Sequence, residues 1–162
     1  MKKSLIGAVV GVLMLSACGT PANNAADVTF AQGMVPHHEQ ALDMAKLVPS
    51  RSSDAAVRDL AQRIENAQGP EIVQLNEWLR EWGAGATKDD HQGHDVADLE
   101  KVTGAEFDRL WLDMMIKHHE GAVDMARTEL SEGKDEKARK MAQAIVDGQQ
   151  QEISEMKDLL KG

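Results

Sequence analysis

The chain carries an internal duplication, which restricts its fold more than any other feature of the sequence. A shift of 81 positions lays the second half over the first without a gap, so that His37-His38-Glu39 meets His118-His119-Glu120. The same shift superposes Asp27 on Asp108, Met34 on Met115, Met44 on Met125, Gln68 on Gln149 and Glu71 on Glu152. Two unrelated amphipathic helices of similar composition would not return so many polar residues in register. A tandem duplication predicts two similar folded units.

Each half predicts two helices. In the first helix of each half, apolar and histidine side chains recur at spacings of three and four residues and therefore share one face. That face consists of Phe30, Met34, His37, Ala41, Met44 and Val48, and its counterpart of Trp111, Met115, His118, Ala122 and Met125. The companion helices carry apolar stripes from Val57 to Trp82 and from Ala138 to Leu160. Each face needs a partner, so each half should form a helical hairpin.

Start and stop signals delimit these helices. Ser53 or Asp54 can cap the second helix and Gly83 can end it, while Thr103 to Glu106 predicts a capping box for the third. No segment alternates like a strand. We therefore expect an all-α fold, a four-helix bundle built from two tandem helical hairpins. The hairpins would span residues 27–82 and 103–162, joined by a polar linker over 83–102, with 27–162 forming one domain.

Pro36 and Pro70 stand inside helical patterns, where the second half has Lys117 and Gln151. A proline removes one backbone hydrogen bond and crowds the preceding turn. Each proline should therefore kink its helix or mark a late start. A kink at Pro36 would lie beside the histidine pair.

The amino terminus predicts export. A short basic start precedes the apolar run Leu5–Leu15, which is too short to span a bilayer and is typical of a signal peptide over residues 1–17. The run ends in Leu-Ser-Ala-Cys, which resembles the bacterial lipobox and implies acylation of Cys18. An ordinary signal peptide that contains a cysteine is the alternative. We expect a lipoprotein anchored to the outer face of the cell membrane or in the periplasm, with residues 18–26 as a flexible tether.

Composition excludes several kinds of site. Cys18 is the only cysteine, so an intramolecular disulfide is impossible and a thiolate metal site would need a residue already joined to lipid. The net charge of −9 makes the surface unsuited to nucleic acid and attractive to cations. Metal chemistry must therefore use histidine, methionine and carboxylate side chains.

The duplicated motif supplies candidate metal ligands. On a helix, Met34 lies one turn before His37 and His38, and Met44 lies two turns beyond His37. Thioether and imidazole together are a ligand set for Cu(I), while several imidazoles alone suit Cu(II) or Zn(II), so the pattern favours copper. The metal-free alternative is a methionine stripe in a core beside hydrogen-bonded histidines. The predicted ligands are Met34, His37, His38, Met44, Met115, His118, His119 and Met125.

Further polar residues could assist these ligands. Gln68 and Glu71, with Gln149 and Glu152, fall on or beside the apolar stripe of the second helix in each half. They could hydrogen-bond to imidazole nitrogens and so orient the ligands. They could equally form a polar network that sets helix register.

The linker carries a third pair of histidines. His91 and His94 lie within seven residues that also contain three aspartates and a glycine. This segment could bind a metal weakly as an accessory site. It could also be a solvated polar loop, because mobile ligands lose conformational entropy on binding.

The motifs around both histidine pairs resemble those of the bacterial domain-of-unknown-function family 305, a ferritin-like helical group that includes the CopM type of copper-binding protein. The resemblance runs from Asp27 to about Leu160. It rests on Phe30-Ala31-Gln32-Gly33-Met34-Val35-Pro36-His37-His38 and Met114-Met115-Ile116-Lys117-His118-His119, and on the Gln/Glu-Ile pairs of the companion helices. It implies a ferritin-like bundle, frequent export and, in some members, copper binding outside the cytoplasm, with the same eight ligands and no established enzymatic activity. Gly33 stands where the second half has Met114, so the first cluster has one thioether fewer.

The leading prediction is a copper-binding protein, not an enzyme, that sequesters the ion at the cell surface or transfers it to a copper-transport partner. A ferritin-like di-iron oxidase is one alternative, but such bundles use Glu-x-x-His pairs, and no histidine here has a glutamate three residues before it. A metal-free helical interaction module is the other. The expected partners are the metal ion, the membrane through lipidated Cys18, and a second copy of the chain if subunits share the site.

Overall fold

The structure, a computed structural model, describes residues 22–85 and 94–162, and every regular element in that part of the chain is an α-helix. The helices are α1 (Ala25–Arg51), α2 (Ala55–Glu81), α3 (His94–Leu99), α4 (Gly104–Glu132) and α5 (Glu136–Leu159). The predicted all-α fold is confirmed. None of the described helices combines the length and the apolar character that crossing a bilayer requires. The predicted signal peptide, Cys18 and the first residues of the tether lie outside the described residues.

Short polar connections fold each half back on itself. Of the two predicted caps, Asp54 is the one that accepts backbone N–H groups at the start of α2, and Asp135 does the same for α5. Only residues 52–54 separate α1 from α2, and only 133–135 separate α4 from α5. Connections this short make the helices of each hairpin antiparallel neighbours.

The start of α4 differs from its prediction. Thr103 is the N-cap residue, but its side chain makes no capping hydrogen bond, so the predicted capping box with Glu106 is wrong. Gly104 has a φ of 63°, and this left-handed turn takes the first N–H groups of α4 away from the threonine hydroxyl. The capping box of this fold belongs to α1. There the Asn24 side chain accepts the N–H of Asp27, and the Asp27 carboxylate accepts the N–H of Asn24.

Both prolines lie well inside their helices. Because α1 begins at Ala25 and α2 at Ala55, a late helix start at Pro36 or Pro70 is excluded. A proline in a helix interior costs about 3 kcal/mol. The packing of the long helices on both sides of each proline must offset that cost.

The hairpins pack on each other through α1 and α4, which run in opposite directions. Asn24 Nδ2, just before α1, donates to the last backbone carbonyl of α4 at 2.8 Å. Toward the other end, Trp111 Nε1 donates to the backbone carbonyl of Met44 at 3.1 Å. Between these contacts the rings of His37 and His118 meet with their centroids 3.7 Å apart. The 81-residue shift exchanges these two histidines, so the interface has an approximate twofold relation about the ring pair.

Two hydrophobic clusters fill the bundle, one toward each end. The Trp111 cluster contains Ala41, Met44, Val48, Leu60, Ile64, Leu99, Phe107, Trp111, Met115, Ile116 and Met156, among others. The Trp78 cluster contains Phe30, Met34, Val35, Leu75, Trp78, Leu79, Ala122, Val123, Ala142 and Ile145, among others. All four long helices contribute to both clusters. On each of them, the residues between the two clusters include polar side chains.

The linker contains a helix that was not predicted. α3 packs against α1 and α4, and its Leu99 is fully buried in the Trp111 cluster. A helix of six residues is too short for a periodic pattern, and it depends on tertiary packing for its stability. A short fifth helix therefore lies in the linker between the two predicted hairpins, where it covers part of the Trp111 cluster.

Candidate metal centre

A layer of polar side chains separates the two hydrophobic clusters. Each long helix contributes two residues to it, at the point where the helix passes from one cluster to the other. This polar layer consists of His37 and His38 on α1, Gln68 and Glu71 on α2, His118 and His119 on α4, and Gln149 and Glu152 on α5. The four histidines are predicted ligands, and the glutamines and glutamates are the residues predicted to orient them.

Each hairpin holds one histidine of the layer against a glutamate. His38 Nε2 lies 2.8 Å from Glu71 Oε2, and His119 Nε2 lies 2.8 Å from Glu152 Oε2. Both imidazoles are fully buried, whereas both glutamates are partly exposed. When the carboxylate accepts this hydrogen bond, Nε2 is the donor, and Nδ1 of a neutral ring then carries the lone pair. These two pairs are termed the dyads.

The dyads leave imidazole nitrogens in the interior without a partner. The Nδ1 atoms of His38 and His119 are buried and have no hydrogen-bond partner within residues 22–85 and 94–162. Such an atom costs about 1–3 kcal/mol, and most buried polar atoms are paired. A histidine that donates one nitrogen to a carboxylate commonly uses the other to bind a metal. The donor chemistry of the polar layer therefore fits a metal ion.

His37 and His118 occupy the centre of the layer, with their ring planes tilted by 35°. Burial, followed by the neighbouring imidazoles of His37, His119 and His38, lowers the pKa of His118 to about 2. The ring is therefore neutral at physiological pH and keeps a lone pair. Both of its nitrogens are buried, and the backbone carbonyl of His37 acts in the opposite sense by raising the pKa of the ring.

A pocket of about 270 Å³ opens beside His118. It is lined by Gln40 and Met44 from α1 and by Met114, Lys117 and His118 from α4. Two thioethers and one imidazole, contributed by both hairpins, thus border a single cavity. Sulfur and imidazole donors are those that Cu(I) prefers. This cavity is termed the thioether pocket.

The structure distributes the four predicted methionines over both clusters. Met34 and Met115 are fully buried, the first in the Trp78 cluster and the second in the Trp111 cluster. Met44 borders the thioether pocket, which a histidine of the other hairpin also lines. Met125 packs against the Trp78 cluster, and its sulfur lies 3.3 Å from where a Cβ on Gly33 would stand.

Met114 and Gln40 are not among the ligands that the sequence predicts. Met114 has no methionine counterpart in the first half, and comparison of the two halves showed it as an extra thioether without making it a predicted ligand. A local signal is present, because Met114 stands four residues before His118 and shares its helix face. Gln40 has no such signal, since its place in the pocket depends on how α1 crosses α4.

The structure does not bring all eight predicted ligands to one centre. Among the described residues, no three His, Cys, Asp or Glu side chains form a group able to hold a metal. Ring centroids of the neighbouring histidines are 6.5 Å apart on α1 and 6.4 Å apart on α4. The accessory pair stays a prediction, because His91 and the side chain of His94 lie outside the described residues.

Solved structures of three proteins are similar to this chain over most of its length. A DUF305 fragment from Deinococcus radiodurans is 31% identical with a TM-score of 0.79, covering 87% of this chain and 99% of that one. A candidate secreted DUF305 protein from Streptomyces coelicolor is 28% identical with a TM-score of 0.78, covering 84% and 92%. CopM in its Cu(II)-bound form is 30% identical with a TM-score of 0.76, covering 83% and 95%. CopM has also been solved in Cu(I)-bound, silver-bound and apo forms.

One curated relative is matched over a shorter segment. A protein of Acanthamoeba polyphaga mimivirus is 36% identical over 55 residues. The matched segment is 36% of that protein's length, so this chain spans about a third of it. The model of the family described as a domain of unknown function (DUF305) matches residues 27–160, which include both hairpins and the whole polar layer. The resemblance seen in the sequence is confirmed, and the chain belongs to the DUF305 family.

Proposed function

We propose that this protein binds copper outside the cytoplasm, at the polar layer and the adjoining thioether pocket, and that it stores the ion or passes it to a transport partner. The unpartnered nitrogens of the layer carry this proposal. His38 and His119 each have a buried Nδ1 atom without a hydrogen-bond partner among the described residues. A metal ion would satisfy these two nitrogens, and the dyad carboxylates would orient both rings.

The donor types favour copper over harder ions. Met44 and Met114 supply thioethers, which calcium, magnesium and manganese do not take as ligands. CopM, about 30% identical to this chain, has been solved with Cu(I), Cu(II) and silver, and this supports the same class of metal here. The net charge of −9 would also draw cations toward the surface.

Copper in this proposal is cargo and undergoes no reaction on the protein. A di-iron oxidase needs several carboxylates and histidines around two irons. Here Glu71 and Glu152 are each engaged with one imidazole, and the described residues contain no group of three such side chains. Exchange of a stored ion requires a route to solvent. The thioether pocket offers one, since the side chain of Lys117 at its wall is exposed.

The same proposal places the protein on the outer side of a membrane. The signal-like amino terminus and the candidate secreted relative support export, and the lipobox-like sequence supports a lipid anchor on Cys18. Cys18→Ser should move the exported protein from the membrane fraction to the soluble fraction. A protein that stays in the membrane fraction after this change would contradict the anchor.

Metal content tests the central claim. Protein purified from its own host should contain copper, and adding Ag(I) to the metal-free protein should raise its Tm, because a ligand that binds only the native state stabilises it. At a free concentration of about 100 times Kd the gain is about 2.7 kcal/mol. If the protein carries no copper and its Tm does not respond to Cu(I), Cu(II) or Ag(I), the proposal fails. The polar layer is then a metal-free network that sets the register of the two hairpins.

A further inference from the structure

We infer that the two sides of the His37–His118 ring pair are unequal. Among the described residues, one side holds a complete soft-metal pocket, completed by Met114, and the opposite side holds an incomplete copy in which Gly33 takes the place of the second thioether. The inference rests on the proposed copper function. It goes beyond that function because it names the ligand set, distinguishes the two halves and assigns position 33 as the residue that decides whether a second site exists.

The complete side contains three soft donors. Met44 and Met114 come from different helices, and His118 lines the same pocket. The backbone carbonyl of His37 acts on the His118 ring to raise its pKa, so one ring nitrogen can donate to that carbonyl while the other keeps a lone pair for an ion. Cu(I) and Ag(I) accept two thioethers and one imidazole as a ligand set, with no charged ligand required.

The residues that line this pocket have diverged between the halves. Under the 81-residue shift, two of the five keep their identity, since Met44 corresponds to Met125 and His118 to His37. The other three correspondences are Met114 to Gly33, Gln40 to Gly121 and Lys117 to Pro36. The dyads in the same layer are unchanged between the halves. In the middle of the bundle, the polar layer is therefore the same in both halves and the pocket wall differs.

The backbone of the opposite side still has the outline of a site. A Cβ built on Gly33 would lie 3.3 Å from the sulfur of Met125, and one built on Gly121 would lie 3.2 Å from Nε2 of His37. Position 33 thus faces the one thioether of this side, and position 121 faces its imidazole. The donors of this side number two, because glycine supplies no side chain at either position.

There is room for the missing thioether. A cavity of about 410 Å³ lies along this side and is lined by Phe30, Gly33 and Met125, among others. A methionine at position 33 would extend into it. The contact at 3.3 Å is tight, but its partner is the flexible side chain of Met125, which can shift by a few tenths of an ångström.

Titration with Cu(I) under anaerobic conditions, in competition with a chromogenic Cu(I) chelator, tests the inference. Gly33→Met should bind one more ion tightly than the native chain. Gly33→Leu, which has similar bulk and no sulfur, should bind the native number. In the Gly33→Met background, Met125→Leu should remove the added ion. Native mass spectrometry with Ag(I) should give the same numbers without redox chemistry.

Replacing Met114 tests the thioether pocket of the native chain. Met114→Leu should weaken the tightest Cu(I) binding about tenfold or more, since a direct ligand is lost. Met141→Leu changes a partly buried methionine outside the polar layer and serves as the matched control. Helix content measured by circular dichroism shows whether each variant folds. Should Gly33→Met not fold, Met114→Leu against Met141→Leu still decides.

The outcomes separate the inference from the proposed function. If the native chain binds neither Cu(I) nor Ag(I), the proposed function fails and this inference fails with it. If the native chain binds Cu(I) but Met114→Leu binds it equally well, only the inference is overturned. It is also overturned if Gly33→Met folds and binds no more ions than Gly33→Leu.

Discussion

The two hairpins agree in the buried layer and differ in the walls that flank it. Both keep a dyad with the same 2.8 Å separation, His38 with Glu71 and His119 with Glu152. The thioether pocket has Met114 on its wall, whereas Gly33 stands at the matching position on the other side of the His37–His118 ring pair. Burial explains the difference. A change to one member of a buried pair leaves the other without a partner, whereas a residue on an open pocket wall can change at little cost in stability.

The ends of the bundle also differ between the halves. Trp111 donates to a backbone carbonyl across the interface, and its counterpart Phe30 has no polar group to do so. Glu129 is 1% exposed and stands where the first half has Val48, which is fully buried. The duplication is therefore strictest in the middle of the bundle. Toward the ends, each hairpin has its own contacts.

The largest expected effect comes from removing the carboxylate of each dyad, which tests the polar layer that the two hairpins share. Glu71→Leu and Glu152→Leu each leave a buried Nε2–H without its acceptor, and we expect each to lower the free energy of unfolding of the metal-free protein by about 2 kcal/mol. The two losses should agree within about 0.5 kcal/mol, because the dyads have the same geometry. Urea unfolding measures both. Glu71→Gln and Glu152→Gln, which keep an acceptor, are the controls, and clearly unequal losses would contradict the equivalence.

Trp111→Phe makes α4 like α1 at the position of Phe30. The change removes a hydrogen bond to the carbonyl of Met44 and leaves a space in a fully buried site. We expect a loss of about 1.5 kcal/mol in the free energy of unfolding. Trp82→Phe, at a partly buried tryptophan outside the α1–α4 interface, should cost less. Equal effects of the two changes would argue that the interfacial hydrogen bond contributes nothing.

The buried Glu129 predicts that the stability of the protein depends on pH, through a carboxylate that the first half does not have at the matching position. Burial, followed by the neighbouring carboxylate of Asp27, raises the pKa of Glu129 to about 8 from a usual value of 4.5. Between these two pH values the native state binds more protons than the unfolded state, so this residue makes stability fall as pH rises from about 4.5 to 8. Asp27 stays ionised, because backbone N–H groups of Asn24, Asp135 and Lys134 lower its pKa against the opposing effect of burial.

Glu129→Val, which copies the residue of the first half, should remove this fall in stability. We expect it to raise the free energy of unfolding by about 1 kcal/mol at pH 8 and to change little at pH 5. Thermal unfolding of both proteins across this range is the measurement. Glu129→Gln, which cannot ionise, separates the charge from the change in shape. A native protein whose Tm does not fall between pH 5 and pH 8 relative to Glu129→Gln would contradict the assignment.

The smallest expected effect comes from a substitution on an exposed face of α5. α5 has the exposed Gly148 where α2 has Ala67, and a Cβ at Gly148 would meet nothing within 4 Å. Gly148→Ala should therefore stabilise the protein by about 0.5–1 kcal/mol through helix propensity alone. Gly83→Ala provides the opposite control, because Gly83 has a φ of 67° and alanine would be strained there. A destabilising Gly148→Ala would show an interaction on this face that the described residues do not contain.

Much of the fold could be predicted because its signals are local. Spacings of three and four residues indicated the four long helices, and the repeat of polar residues in register indicated two similar hairpins. The glutamates of the polar layer contact imidazoles, which suits both the ligand-orienting role and the register-setting network. The linker helix α3 could not be predicted, since one buried residue, Leu99, does not make a periodic pattern. The failed capping box at Thr103 shows that residue types alone do not determine the backbone geometry of a helix start.

The sequence by itself determined the helical class, the positions of the polar residues along each helix and the doubling of the motif, because these depend on spacing within one helix and on identity between two segments. Only the tertiary structure decided that Met44 borders a pocket with His118 of the other hairpin, that Met34 and Met115 lie in separate clusters, and that Met114 lines the same pocket as Met44. The reason is physical. Contacts between helices depend on the direction and register in which α1 and α4 cross, and that crossing is set by the packing of both clusters together.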